Sequence, residues 1–107
     1  MARVRVKICV APKTNCEELY IVGSTSSLGY WDVKKATKLT YCEECQKFVV
    51  TKFLPAEEVV EFKFITAKDW NNVEKGIWRE EISNRTIVPT KGLKLELTIE
   101  TFNNLLK

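Results

Sequence analysis

Apolar and polar residues alternate with a period of two along most of this chain, and that period belongs to strands. Val4, Val6, Ile8 and Val10 interleave with Arg3, Arg5, Lys7 and Cys9, which predicts a strand buried on one face and solvated on the other. Leu19 to Val22 is a short apolar run stopped by Gly23. Lys47 to Leu54, KFVVTKFL, is rich in β-formers and stops at Pro55. From Glu58 to Ala67, Val60, Phe62 and Phe64 fall on one face, with Glu61, Lys63 and Ile65 on the other. Thr86 to Val88 forms a brief strand before Pro89, and Leu93, Leu95, Leu97 and Ile99 alternate with Lys94, Glu96, Thr98 and Glu100. A turn near Val33 to Ala36 is the one helical feature predicted. Short strands separated by turn residues predict an all-β antiparallel sandwich of about seven to eight strands. No repeat, linker or low-complexity tract interrupts the pattern, so residues 1–107 are expected to form a single domain.

One stretch breaks the periodicity. STSSLGYWD, residues 24–32, reads as a loop, yet it carries the large flat indole of Trp31 where no core face claims it. Composition narrows what such a loop is for. The chain is 45% hydrophobic, as expected of a globular domain, and no apolar run approaches the ~20 residues that span a bilayer. The net charge of +3 comes from interspersed signs, which points to neither a nucleic-acid nor a membrane partner. Histidine is absent, removing the commonest general base and metal ligand, and no nucleophile–base pair stands out. The reading is therefore not an enzyme and has no cofactor. Cys42-Glu-Glu-Cys45 has the spacing of half a zinc site, but Cys9 and Cys16 do not complete it with a knuckle spacing, and ordinary strand and loop cysteines are expected. The basic N-terminus lacks the continuous apolar stretch of a secretory signal, so reduced thiols in a cytoplasmic protein are expected.

An apolar strand ending in Gly-Ser leads to Leu-Gly-x-Trp-Asp and then Ala36. After a strand ending Leu54-Pro55 come Val60-Glu61-Phe62-Lys63-Phe64-Ile65, a tryptophan, and Asn84-Arg85. In this order, from about Val4 to Phe102, the features resemble a starch-binding domain, carbohydrate-binding module family 20. The resemblance implies an immunoglobulin-like antiparallel β-sandwich that binds α-1,4-glucans such as starch, glycogen and cyclodextrins, and that targets an attached enzyme to the polymer. It implies a main site made of Trp31, Lys63, a second tryptophan and Asn84. Trp78 fits the second tryptophan better than Trp70, because it lies close before Asn-Arg, while Trp70 suits an extra platform or a lid. The family's second site uses loop tyrosines; Asn15 stands at one such position, and Tyr41 is the remnant near the other. Arg79 stands where the family commonly has glutamate, and five residues separate Trp78 from Asn84 where three are usual.

These residue types suit sugar. A pyranose offers an apolar C–H face and a rim of hydroxyls, so it needs a flat ring beneath and fixed polar groups beside it. The expected partners are an α-glucan and a C-terminal catalytic domain of a longer protein. The competing reading is a protein–protein interaction sandwich that has kept the scaffold and lost sugar binding.

Overall fold

The computed structural model describes residues 3–13, 18–66, 73–75, 84–99 and 101–102. Their strands are β1 (Arg3–Pro12), β2 (Tyr20–Gly23), β3 (Thr37–Lys38), β4 (Thr40–Cys42), β5 (Lys47–Pro55), β6 (Val60–Ile65), β7 (Glu74–Lys75), β8 (Arg85–Ile87), β9 (Lys94–Ile99) and β10 (Thr101–Phe102). Eight of them form two four-stranded sheets, ordered β4-β5-β1-β9 and β3-β2-β6-β8, while β7 and β10 pair separately.

Period two decides the layering. Val6, Ile8 and Val10 from β1, with Phe48 and Leu54 from β5, meet Ile21 from β2 and Val60, Phe62 and Phe64 from β6 in one continuous core. The Phe62 and Phe64 rings sit edge to face at 5.6 Å. The expected sandwich and its number of sheet strands are what the structure shows. Three features differ from the expectation. β1 pairs antiparallel with β5 but parallel with β9, Lys7 opposite Lys94 through Pro12 opposite Ile99. The two-residue strands β3, β7 and β10 are too short to carry a periodic signal. The segment expected as a plain loop, Ser26–Trp31, begins with a 3-10 turn and kinks at Gly29 and Tyr30, whose angles are not helical; the expected turn beyond it is present as a 3-10 helix at Val33–Lys35.

The polar face of β6 is only partly polar. Ile65 shares it with Glu61 and Lys63 but is fully buried, in a satellite cluster with Val22, Ala36 and Val73 on which Tyr20, Trp31 and Val33 pack. Among the described residues, that cluster covers one end of the outer face of the β3-β2-β6-β8 sheet, and Glu61 and Lys63 on the same face are half-buried.

Candidate functional site

The loop after β2 carries the chain from the inside of the sandwich to the outside. The last residue of β2 is glycine because a Cβ at Gly23 would overlap the Glu61 carbonyl and stand 2.8 Å from the Leu28 side chain. Ser24 then fastens the loop to β6: its N–H donates to the Glu61 carbonyl at 2.9 Å, and its Oγ accepts from the Glu61 N–H at 3.0 Å. Ser27 Oγ donates to the Phe53 carbonyl at 3.0 Å, tying the loop to the other sheet. Leu28 is fully buried in the main core, whereas Trp31, three residues on, packs on the outer cluster. Turning from core to outer face in so few residues requires a left-handed run, with φ of +84° at Gly29, +50° at Tyr30 and +64° at Trp31. Such angles cost about 1–2 kcal/mol each for residues with a side chain. The loop holds them with hydrogen bonds from Tyr30 N–H to the Thr25 carbonyl at 3.0 Å and from Asp32 N–H to the Gly29 carbonyl at 2.9 Å. Asp32 Oδ1 caps the following turn by accepting from Lys34 N–H at 3.0 Å.

Trp31 is therefore half-buried, resting on Val22, Ala36, Ile65 and Val73 rather than plugging the core. Val22, a member of the cluster on which the indole packs, lies directly opposite Lys63 in the β2–β6 register, which puts Lys63 on the same sheet face as that cluster. Asn84, just before β8, donates from Nδ2 to Glu61 Oε1 at 2.9 Å, and Glu61 lies two residues before Lys63 on that face. Trp31, Lys63 and Asn84 are thereby gathered around β6. Sequence reasoning overlooked Glu61, which holds the Trp31 loop through its backbone and Asn84 through its carboxylate. Its place on the β6 outer face was legible; its two partners, 37 and 23 residues away in sequence, were not.

A second overlooked group lies beneath Asn84. Arg85 forms a forked ion pair with Glu74, with Nε at 3.0 Å from Oε1 and a terminal guanidinium nitrogen at 2.9 Å from Oε2. Glu74 is 1% exposed and also accepts from the Phe64 N–H at 3.2 Å. Arg85 lies 5.4 Å from the centroid of the Phe64 ring and donates to the Thr98 carbonyl at 2.7 Å. The pair joins the two ends of the segment between β7 and β8 and fixes the backbone from which Asn84 projects.

Trp70 and Trp78 lie outside the described residues, as does Asn15. Tyr41 belongs to the other sheet, half-exposed on edge strand β4 with its ring edge-on to Phe48 at 5.0 Å. The structure does not bring it to the Trp31–Lys63–Asn84 face. An apolar floor, an amine and an amide on one sheet face make a surface suited to a neutral, hydroxyl-rich ligand.

Comparison with known proteins gives the same direction. A family model described as a starch binding domain matches residues 2–98. Glucoamylase-1 of Arthroderma benhamiae is 34% identical over 76 residues, which is 68% of this chain and 12% of that protein, so the chain spans about an eighth of this curated relative. Among solved structures, a glycoside hydrolase family 15 glucoamylase from Hypocrea jecorina superimposes with a TM-score of 0.71 at 24% identity, covering 92% of this chain and 17% of that one. The family 20 CBM of a maltotetraose-forming amylase from Pseudomonas saccharophila STB07 superimposes with a TM-score of 0.65 at 21% identity, covering 89% of this chain and 99% of that one.

Proposed function

The chain belongs to the starch-binding domain family, and from that premise we infer that the outer face of the β3-β2-β6-β8 sheet holds an α-1,4-linked glucan, with Trp31 under a glucose ring and Lys63 and Asn84 on its hydroxyls. The observation that carries this reading is that Trp31 packs on the cluster containing Val22, which pairs with Lys63, with Asn84 tied alongside through Glu61. Glu61 engages Asn84 Nδ2, which leaves the amide oxygen to accept from a hydroxyl. Trp78, from the family pattern, supplies the second ring.

The magnitudes suit a weak, repeated contact. An indole that removes about 60 Å² of apolar surface from water contributes roughly 1.5 kcal/mol. Two rings and two or three hydrogen bonds at ~1 kcal/mol each reach about 5 kcal/mol, a Kd on the order of 0.1–1 mM. A polymer offering many equivalent stretches makes such an affinity sufficient to keep a tethered enzyme nearby. Starch-binding domains are noncatalytic, and the glucoamylase relative carries far more chain than this domain. Our reading is one module of a longer protein that delivers a catalytic domain to starch or glycogen in the cytoplasm; the size of the glucoamylase relative supports the first part, and free thiols at Cys9, Cys42 and Cys45 are compatible with a reducing compartment.

The test is electrophoresis through a gel containing amylopectin, with β-cyclodextrin titrated against tryptophan fluorescence in parallel. The wild-type chain is expected to be retarded and to respond to the cyclodextrin, and Trp31→Ala to lose both effects while staying folded. Free migration of the wild type, with no fluorescence response, would favour the protein-interaction reading instead.

A further inference from the structure

The outer face of the opposite sheet, β4-β5-β1-β9, carries chemistry that glucan binding does not use. Cys42 ends β4 and Cys45 sits in the turn to β5, where the Gln46 N–H closes onto the Cys42 carbonyl at 2.7 Å. The Cys45 N–H donates to Cys42 Sγ at 3.4 Å, so the turn folds one cysteine's backbone over the other's sulfur. Residues three apart across such a turn have Cα atoms within ~7 Å, the range a disulfide bridges. Both thiols open onto a hollow of about 490 Å³ that Cys9 also lines. Lys7, Lys38, Lys47 and Lys94 line it against a single carboxylate, Glu96, which Lys47 meets at 2.7 Å. Glu43 and Glu44 belong to the turn itself and do not line the hollow.

We propose that Cys42 and Cys45 form a dithiol modification site that reduces anionic low-molecular-weight disulfides of the glutathione type, drawn in by the lysines. Cys42 attacks as the thiolate: one bond forms between its sulfur and a sulfur of the incoming disulfide, the original S–S bond breaks, and one thiolate leaves and takes up a proton. Cys45 then loses its proton and attacks Cys42 Sγ, closing the internal disulfide and releasing the second thiol. Two electrons pass from the dithiol to the small disulfide, giving two small thiols. The assignment of roles follows from the turn. Hydrogen bonds from the Cys45 side chain and backbone hold the Cys42 thiol below its ordinary range, while the same contact raises Cys45. A thiolate is the nucleophile in exchange. Cys9 is 6% exposed, too buried to compete.

The experiment incubates the reduced chain with glutathione disulfide, quenches by alkylation, and maps bonds by peptide mass spectrometry. The wild type is expected to lose two hydrogens and gain a Cys42–Cys45 bridge. Cys45→Ser should instead accumulate glutathione on residue 42, and Cys42→Ser should react several-fold more slowly. Lys7→Gln/Lys47→Gln should slow closure by glutathione disulfide several-fold but leave closure by the neutral hydroxyethyl disulfide unchanged. A stable mixed disulfide on wild type, or equal reactivity of the two serine variants, overturns the dithiol site. Equal slowing with both disulfides overturns the recruitment by lysines.

Discussion

Trp31 owes its position to backbone more than to side-chain packing. Gly29, Tyr30 and Trp31 all take left-handed angles so that Leu28 can stay in the core while the indole lies outside it. The residue was legible in the sequence, because an indole in a loop with no periodic neighbours has nowhere in the core to go. The left-handed run was not, because it answers to Leu28 and to Phe53 on another strand. Glu61 illustrates the same limit: its type and face were readable, its partners were not. Glu61→Ala should free Asn84 from its hold and weaken cyclodextrin binding by about fivefold, the equivalent of one hydrogen bond of ~1 kcal/mol. Fluorescence titration beside a thermal melt checks this, since the melt should move little.

At the scale of strands, the long alternating runs of β1, β5, β6 and β9 announced themselves, while the two-residue β7 did not. Yet β7 supplies Glu74, whose side chain is 0% exposed and whose fork with Arg85 closes the base of the segment before β8. Removing one member of a buried pair strands the other's charge, so Glu74→Ala should cost about 3–5 kcal/mol by urea unfolding. The paired change Glu74→Leu/Arg85→Met should recover most of that. Across the other sheet, Lys47 on β5 reaches over β1 to Glu96 on β9. Its hydrogen bond holds the Glu96 carboxyl below the usual carboxylate range, and the carboxylate raises Lys47 in turn. A depressed acid contributes stability above its unfolded value and loses it as pH falls through the folded one. A raised lysine contributes below its unfolded value and loses it as pH rises through the folded one. The pair therefore acts in the window between. Glu96→Gln should slightly flatten the acid limb of Tm against pH, an effect kept small by solvent and erased by salt.

For the molecule as a whole, period two was enough to predict two sheets around one core, but not the partner of each strand. The antiparallel match of β4 with β5 follows from a short turn, but the antiparallel matches of β1 with β5 and β2 with β6, and the parallel match of β1 with β9, join segments far apart in the chain, which no local pattern encodes. The same division separates the two outer faces. Trp31, Lys63 and Asn84 gather on one, the cysteine pair and its lysines on the other, so a glucan held on the first leaves the second accessible.

The match of β1 with β9 also governs how the domain is made. Until a ribosome has released Lys94 and its successors, β1 waits with one flank of backbone donors and acceptors unmatched and Leu95, Leu97 and Ile99 missing from beside the core. A nascent chain halted at Gly92 should therefore pellet rather than remain in the supernatant, sticking to its own copies through the bare flank that β9 covers.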